Sequence, residues 1–330
     1  MSQMPSSTSS FSLRLAAFLG TILVAACLLE IYCRTSRRFD GGDQFIYVRT
    51  IAATRSANTV LGDSHVGLSP MIDGYAFLGW AGQQPQELLN LVHFLYDNRQ
   101  PGKVIVEAAP QWVGEYHKGR QPLLTAANLQ PPVSVFGVHM LSLTPLYSGS
   151  LFKFLIADLT SLTRFVSPSK AQPLPVNTAQ ADQYAREWSR KRDAGGDAFN
   201  WTEMERDKRE VLTLARLHGQ NPIRDFESSS LLRDYVAAIR FLQQRGAQVC
   251  LFRTPVTADY SQLGRQMPEG RFDAFDRWIR QFAGAQRIRF VDFHELPLDF
   301  DDTRFLNQDH VTAAHARAMW PLVDKACFGG

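Results

Sequence analysis

No two cysteines in this chain are spaced as CxxC; the four stand at positions 27, 33, 250 and 327. That spacing gives no zinc knuckle and no disulfide framework. The chain also lacks a GxxxxGK[ST] loop and a GxGxxG opening a helix, and His294-Glu295-Leu296 does not complete an HExxH. Nucleotide-binding and zinc-hydrolase readings therefore have no signature, and no metal or organic cofactor is implied. Charge of one sign is scarce as well: 35 Lys and Arg against 32 Asp and Glu leave +3, too little to argue for a nucleic-acid partner. There is no internal repeat. The N-terminal uncharged apolar run, Leu15 to Leu29, is 15 residues long, short of the ~20 that a spanning helix prefers.

What is present is a balance of 45% hydrophobic and 20% charged residues over 330 positions, which suits a globular protein with a full core. Residues 1–10 are polar and Ser-rich and read as a disordered tail. Residues 11–33 are apolar apart from Arg14 and Glu30, whose charges can snorkel to an interface, so the stretch can span as a membrane anchor. Two alternatives stay open: a cleaved signal segment, and a lipoprotein signal ending at Val24-Ala25-Ala26-Cys27. Arg34, Arg37 and Arg38 crowd the far flank and would hold the following domain in the cytoplasm by the positive-inside rule. Long domains translocate largely regardless of charge, however. Residues 34–55 read as a linker, and 56–330 as one domain.

Within that domain, Thr59-Val60-Leu61 is a buried-strand run that stops at Gly62-Asp63-Ser64-His65. A glycine at the strand end lets the chain turn with no Cβ in the way, leaving Ser64 on a corner where α/β sheets bind ligands. Tyr75 to Leu78 reads as a second strand, and Pro85 opens a helix through Tyr96. Lys103 to Ala109 is a third strand. From 111 to 225 the sheet signal fades. Leu141 to Phe165 has helical periodicity, and Ser167 to Asn200 is a polar excursion whose Arg190-Lys191-Arg192 reads as a solvated helix face. This segment reads as a helical insertion capping the site. Alternation resumes with a helix over 231–245, a strand over 248–252, a helix over 272–282, a strand over 288–293 and a last helix from about Thr312 to Ala326, kinked at Pro321. Strands alternating with helices imply a parallel sheet covered on both faces, an α/β fold.

A serine needs a base to take its proton, and Phe305-Leu306-Asn307-Gln308-Asp309-His310-Val311-Thr312 offers His310. Gly62-Asp63-Ser64 near the start of the domain, paired with Asp309-His310 before the last helix, resembles the SGNH (GDSL-type) hydrolase superfamily. Gly-Asp-Ser-His with a late Asp-His-Val-Thr is similar, more narrowly, to membrane-anchored members that acylate or deacylate bacterial surface polysaccharides. The resemblance covers roughly residues 56–325 and is specific only at its two end blocks. It implies a flavodoxin-like three-layer fold, an inner-membrane protein with a periplasmic domain, and a place in an envelope polysaccharide-assembly complex. The activity it implies is that of an acyl-ester hydrolase or O-acetyltransferase whose substrate is an acylated carbohydrate or small ester, with acetyl on an envelope glycan the expected group.

The resemblance also implies residue roles. Ser64 is the nucleophile and His310 the base. The family's Asp three residues before the base is Asn307 here, which can orient an imidazole but cannot stabilise its charge; Asp309 is the alternative third member. The oxyanion donors are the Ser64 N–H and Gly82, with Gly79 a competitor. The family's Asn after the third strand is missing, so either Gln111 reaches in or that donor is absent. Asp63 fixes the turn, His65 is a packing or hydrogen-bonding neighbour of the substrate, and His315 is structural. The rival expectation is a non-catalytic scaffold that binds glycan or partners.

Overall fold

The structure is a computed structural model, and it describes residues 8–35, 50, 51, 53–67, 71–120, 122, 124, 125, 129, 133–143, 178–196 and 199–329. The chain divides into two compact units, one of Met1–Ala52 with Ala126–Pro168 and one of Ala53–Thr125 with Ser169–Gly330.

The first unit contains helix α1, Thr8–Thr35, of which Phe11–Arg34 is long and apolar enough to cross a membrane. Phe11, Leu13, Phe18, Leu23 and Leu28 are all exposed on it, so it is apolar on every side, as a spanning helix is. Glu30 does not simply snorkel. It accepts from Arg34 Nε at 2.6 Å and from the Ser142 N–H at 3.1 Å. Arg34 also donates to the carbonyl of His139 at 2.6 Å, in a hairpin whose strands are Val133–Val135 and Val138–Met140. The helical pattern expected over Leu141 to Phe165 lies, from 144 onward, outside the described residues; Leu141–Leu143 is a single 3₁₀ turn.

The second unit runs β1 (Asn58–Asp63), β2 (Tyr75–Trp80), α2 (Pro85–Tyr96), β3 (Lys103–Glu107), α3 (Thr178–Gly195) and α4 (Arg206–Gln220). It continues with α5 (Ser230–Gln244), β4 (Gln248–Arg253), α6 (Ala258–Arg265), α7 (Arg271–Ala285), β5 (Arg289–Asp292) and α8 (Ala313–Phe328). The five strands are all parallel, in the order β2-β1-β3-β4-β5. Helices flank them to make a three-layer α/β fold. In that order the chain reverses direction between β1 and β3, and the crevice beyond their carboxyl ends is where such sheets bind ligands.

Strand alternation sorts the core. Val60, Ile105, Cys250, Phe252 and Val291 pack with Met319, Trp320 and Val323 of α8. On the other face, Thr59 Oγ1 meets the Tyr96 hydroxyl of α2 at 2.9 Å, and the Tyr235 hydroxyl of α5 donates to the Glu107 carbonyl at 2.7 Å. Local chemistry starts the helices. Pro85 opens α2 while Glu87 accepts from the Gln84 N–H at 2.7 Å, and the Ser229 hydroxyl accepts from the Leu232 N–H at 3.1 Å at the head of α5. Helix α8 begins at the Thr312 cap and continues through Pro321 to Phe328.

One expectation is corrected. Cys250 on β4 and Cys327 on α8 form a disulfide, with their Cα atoms 5.7 Å apart. Their separation of 77 residues hid the pair from any local motif, and only the packing of α8 on the sheet brings them together. Closing a loop of that length stabilises the fold by about 4 kcal/mol in the chain-entropy account.

Candidate active site

Ser64 sits on the turn that leaves β1, where the Val66 N–H donates to the Asp63 carbonyl at 3.2 Å. Sterics at two glycines shape this corner. Gly62 remains inside the strand, and a Cβ there would stand 2.3 Å from Val66 Cγ2 and 2.7 Å from Glu107 Oε2. Its role is close approach rather than the sharp turn expected. Gly79 on β2 is tighter still: a Cβ would meet the Asp63 carbonyl oxygen at 2.3 Å and the Gly67 nitrogen at 2.6 Å. The Gly79 N–H donates to the Gly67 carbonyl at 2.8 Å, clamping the Ser64 turn against the neighbouring strand.

His310 arrives from the loop before α8. Asn307 shapes that loop: its Oδ1 accepts from the backbone N–H groups of Asp309, at 3.0 Å, and His310, at 2.8 Å. The turn brings both candidate orienting residues to one ring nitrogen. His310 Nδ1 lies 2.8 Å from Asp309 Oδ1 and 3.0 Å from Asn307 Oδ1. Both oxygens accept, so Nδ1 carries the hydrogen, and Nε2 is left to accept from Ser64 Oγ–H at 2.8 Å. Asp309 is held in turn through its other oxygen, which accepts from Arg216 Nε and Gln220 Nε2 of α4, each at 2.8 Å. The Tyr260 hydroxyl fixes the Gln220 amide by donating to its Oε1 at 2.5 Å.

Behind His310 the ring of His65 stacks on it, centroids 4.4 Å apart. His65 Nδ1 is 2.6 Å from Asp63 Oδ1 and 2.7 Å from Glu107 Oε1, and its Nε2 is 3.5 Å from Asp309 Oδ2. Gln111 Nε2 donates to Asp63 Oδ2 at 3.2 Å and Glu107 Oε1 at 3.1 Å, and the Thr254 hydroxyl donates to that same Glu107 oxygen at 3.1 Å. The structure thus places His65 and Gln111 in a buried carboxylate cluster, with the Gln111 amide engaged there. Gly82 lies on the turn after β2 with φ +74°, and its Cβ direction points 3.1 Å from Arg120 Nη1. His315 is on the first turn of α8, its N–H donating to the Thr312 cap.

Charge in this cluster follows from burial and neighbours. Burial opposes the Asp309 charge, but Arg216 and His310 outweigh it and hold its carboxyl well below the usual range. Burial also opposes the His65 cation, yet Asp63 and Glu107 outweigh it and push its pKa well up. Asp63 is held low, burial being overcome chiefly by the His65 cation. Glu107, buried and beside the Asp63 charge, is pushed up to about 7. His310 is pushed below its ordinary value, first by burial and then by the His65 and Arg216 cations, against the pull of Asp309. A neutral imidazole bonded to a serine hydroxyl and backed by a carboxylate can remove that hydroxyl's proton. Two sets of carboxylate and imidazole atoms also lie close enough to share a cation: His65, Asp309 and His310, and Asp63, His65 and Glu107. The hydrogen bonds just described already use the carboxylate oxygens, both His310 ring nitrogens and His65 Nδ1, whereas His65 Nε2, 3.5 Å from Asp309 Oδ2, makes none.

Arg216, Gln220 and Glu107 were not singled out from the sequence. Glu107 had a weak signal, an acid closing the apolar run Val104-Ile105-Val106. Arg216 and Gln220 had none, being two of many polar residues in a stretch with no sheet pattern.

No protein-family model matches the sequence, and no curated protein matches it. A solved structure from Streptococcus pneumonia, described provisionally as a platelet activating factor, is 13% identical and aligns over 93% of this chain and 99% of its own, with a TM-score of 0.37. That likeness is too distant to assign a family or a function.

Proposed function

We propose that this protein is a serine-dependent acyl-transfer enzyme of the SGNH type, an esterase or O-acyltransferase that works on acyl esters of a cell-envelope glycan. The observation that carries this reading is the 2.8 Å contact between Ser64 Oγ and His310 Nε2, with Asp309 on the opposite nitrogen. Ser64 Oγ attacks the ester carbonyl carbon as His310 Nε2 takes its proton. The Ser64 N–H and Gly82 N–H stabilise the oxyanion. The bond to the alkoxy oxygen breaks, and that oxygen leaves with the proton from His310. Water or a sugar hydroxyl then attacks the acyl-serine, giving its proton to His310, and Ser64 regains its hydrogen as the acyl group departs.

The glycan and the envelope come from the sequence resemblance. The Cys250–Cys327 disulfide supports a domain outside the cytoplasm, where such pairs persist. On this reading α1 is the anchor, and α4, within the 111–225 stretch, braces the site by supplying Arg216 and Gln220 to Asp309.

One experiment tests both chemistry and location. A fluorophosphonate probe labels the full-length wild type, and Ser64→Ala abolishes labelling and lowers p-nitrophenyl acetate turnover by roughly 10⁴- to 10⁶-fold. A membrane-impermeant form of the probe labels the protein in cells whose outer envelope alone has been opened. Wild type that resists the probe and turns over no ester is a non-catalytic scaffold; labelling only after the inner membrane is broken places the domain in the cytoplasm.

A further inference from the structure

Beside the Ser64–His310 pair lies a recess of about 210 Å³ whose walls include Val66, Met71, Leu306, Val311, Ala316 and Met319, with Ser64 and His310 lining it too. Its position makes it more than a packing void, because a group within it lies against both the attacking oxygen and the base. Its walls limit what that group can be. His65, Thr254 and Asp309 line part of the recess, but a sugar seated there would set most of its hydroxyls against methyls and thioethers, at a desolvation cost. An acyl tail loses nothing by entering. At ~30 Å³ for each water-sized unit, the recess has room for about seven, more than the single methyl of an acetyl group and suited to a chain of roughly four to six carbons. Met71 and Met319 are unbranched and can adjust to such a chain.

We propose that this recess is an acyl-chain pocket, and that the group Ser64 takes up is a short linear fatty acyl rather than acetyl. The inference rests on Ser64 being the nucleophile. It differs from the acetyl that the sequence resemblance implies, because the volume and apolarity of the walls favour added methylenes. Each one buried raises kcat/KM by about fourfold.

The test is a chain-length series on the detergent-solubilised full chain. It uses p-nitrophenyl acetate, butyrate and hexanoate, each corrected for Ser64→Ala. The expected kcat/KM rises roughly fifteenfold from acetate to butyrate and, where all four added methylenes are buried, roughly 250-fold to hexanoate. Ala316→Leu, which puts a larger side chain into the recess, lowers the hexanoate-to-acetate ratio toward one. If that variant fails to fold, Ala313→Leu at the exposed rim gives the same reading, and the wild-type series needs no variant. A flat or falling series from a protein that still labels at Ser64 overturns the acyl pocket and leaves the serine chemistry standing. No Ser64-dependent labelling or turnover with any ester overturns both.

Discussion

Two unlike environments meet at the His310 ring. On one side lie Asp309, Arg216, His65, Asp63 and Glu107, a cluster whose acids are almost fully buried and bonded to the histidines and Arg216 between them. On the other lies the apolar recess of Met71, Ala316 and Met319. Their consequences separate accordingly. Buried charges interact strongly, so the first side sets whether His310 is neutral and which way it points. The second side is mostly apolar, although Asp309 and His65 line part of it, and on the proposed reading it bears on which acyl group reaches Ser64. Changes on the charged side should therefore move rates and pH profiles for every ester alike, whereas changes in the recess should move ratios between esters.

The largest expected break of that comparison is Asp309→Asn. Among the described residues Asp309 supplies the charge bonded to His310 Nδ1, and removing the charge from such an orienting carboxylate lowers kcat by about 10⁴-fold. The loss should be equal for acetate and butyrate esters. Asn307→Ala should lose far less, since its Oδ1 chiefly holds the turn through the Asp309 and His310 N–H groups. Steady-state kinetics on both variants decide the matter, and a larger loss for Asn307→Ala would make Asn307 the orienting residue.

The next effect falls on stability. His65 is the cation between Asp63 and Glu107, and its side chain is 4% exposed. Removing one partner of a buried pair destabilises by roughly 3–5 kcal/mol, so His65→Gln should lower the denaturation free energy by that order at pH 6. The wild type carries a pH signature of its own. A histidine whose folded pKa is raised contributes stability that is complete below its unfolded value of ~6.5 and is lost as pH rises through the folded pKa. Glu107, raised to about 7, likewise favours its protonated form in the fold and adds to the loss between ~4.3 and about 7. Histidines held low by burial, His117, His310 and His315 among them, gain stability as pH rises and act in the opposite sense in both proteins. The His65 contribution is therefore read as the difference between wild-type and His65→Gln midpoints, which should shrink as pH is raised from 5 to 9. A difference that grew over that range would remove the His65 cation from the account.

How legible each side was in the sequence follows from how far its residues travel along the chain. Ser64 closes a buried strand and His310 precedes a capped helix, so local pattern located both. All five sheet strands were readable in the same way, from short apolar runs bounded by turns, with ends shifted by a residue or two. The charged cluster draws on Glu107, Arg216 and Gln220, residues from separate elements that only tertiary packing brings together. Of the helices in the 111–225 stretch, α3 was legible only as a solvated helix face at Arg190-Lys191-Arg192, and α4, RDKREVLTLARLHGQ, was not placed at all, being mostly polar in a stretch with no sheet pattern to frame it. Asp309 and Asn307 were legible as candidates but not as an arrangement. Sequence adjacency argued against Asp309 facing its neighbour's ring, and the Asn307 turn removes that objection. The recess is formed by side chains of the Ser64 turn, the His310 loop and α8, and no sequence period marks such a void.

The smallest expected effect sharpens the comparison most. Arg216 donates to the Asp309 oxygen that His310 does not use, so it touches the base only through the field it sets up. Its cation lowers the His310 pKa, while the carboxylate it shares raises it. Catalysis needs the neutral ring, so the acid limb of kcat/KM should lie below the ordinary histidine value of ~6.5 in the wild type. Arg216→Gln takes away a charge that disfavours imidazolium and leaves Asp309 free to favour it. Both changes raise the His310 pKa, and the limb should move to higher pH. The Arg216 side chain is 37% exposed, so water screens it, and the shift should stay within about one pH unit. At pH 6 that is a loss of up to tenfold, at pH 8 almost none, and the hexanoate-to-acetate ratio stays where it was. A limb that stayed in place would show that Arg216 only braces the loop, and a changed ester ratio would show that the two sides of His310 are not independent.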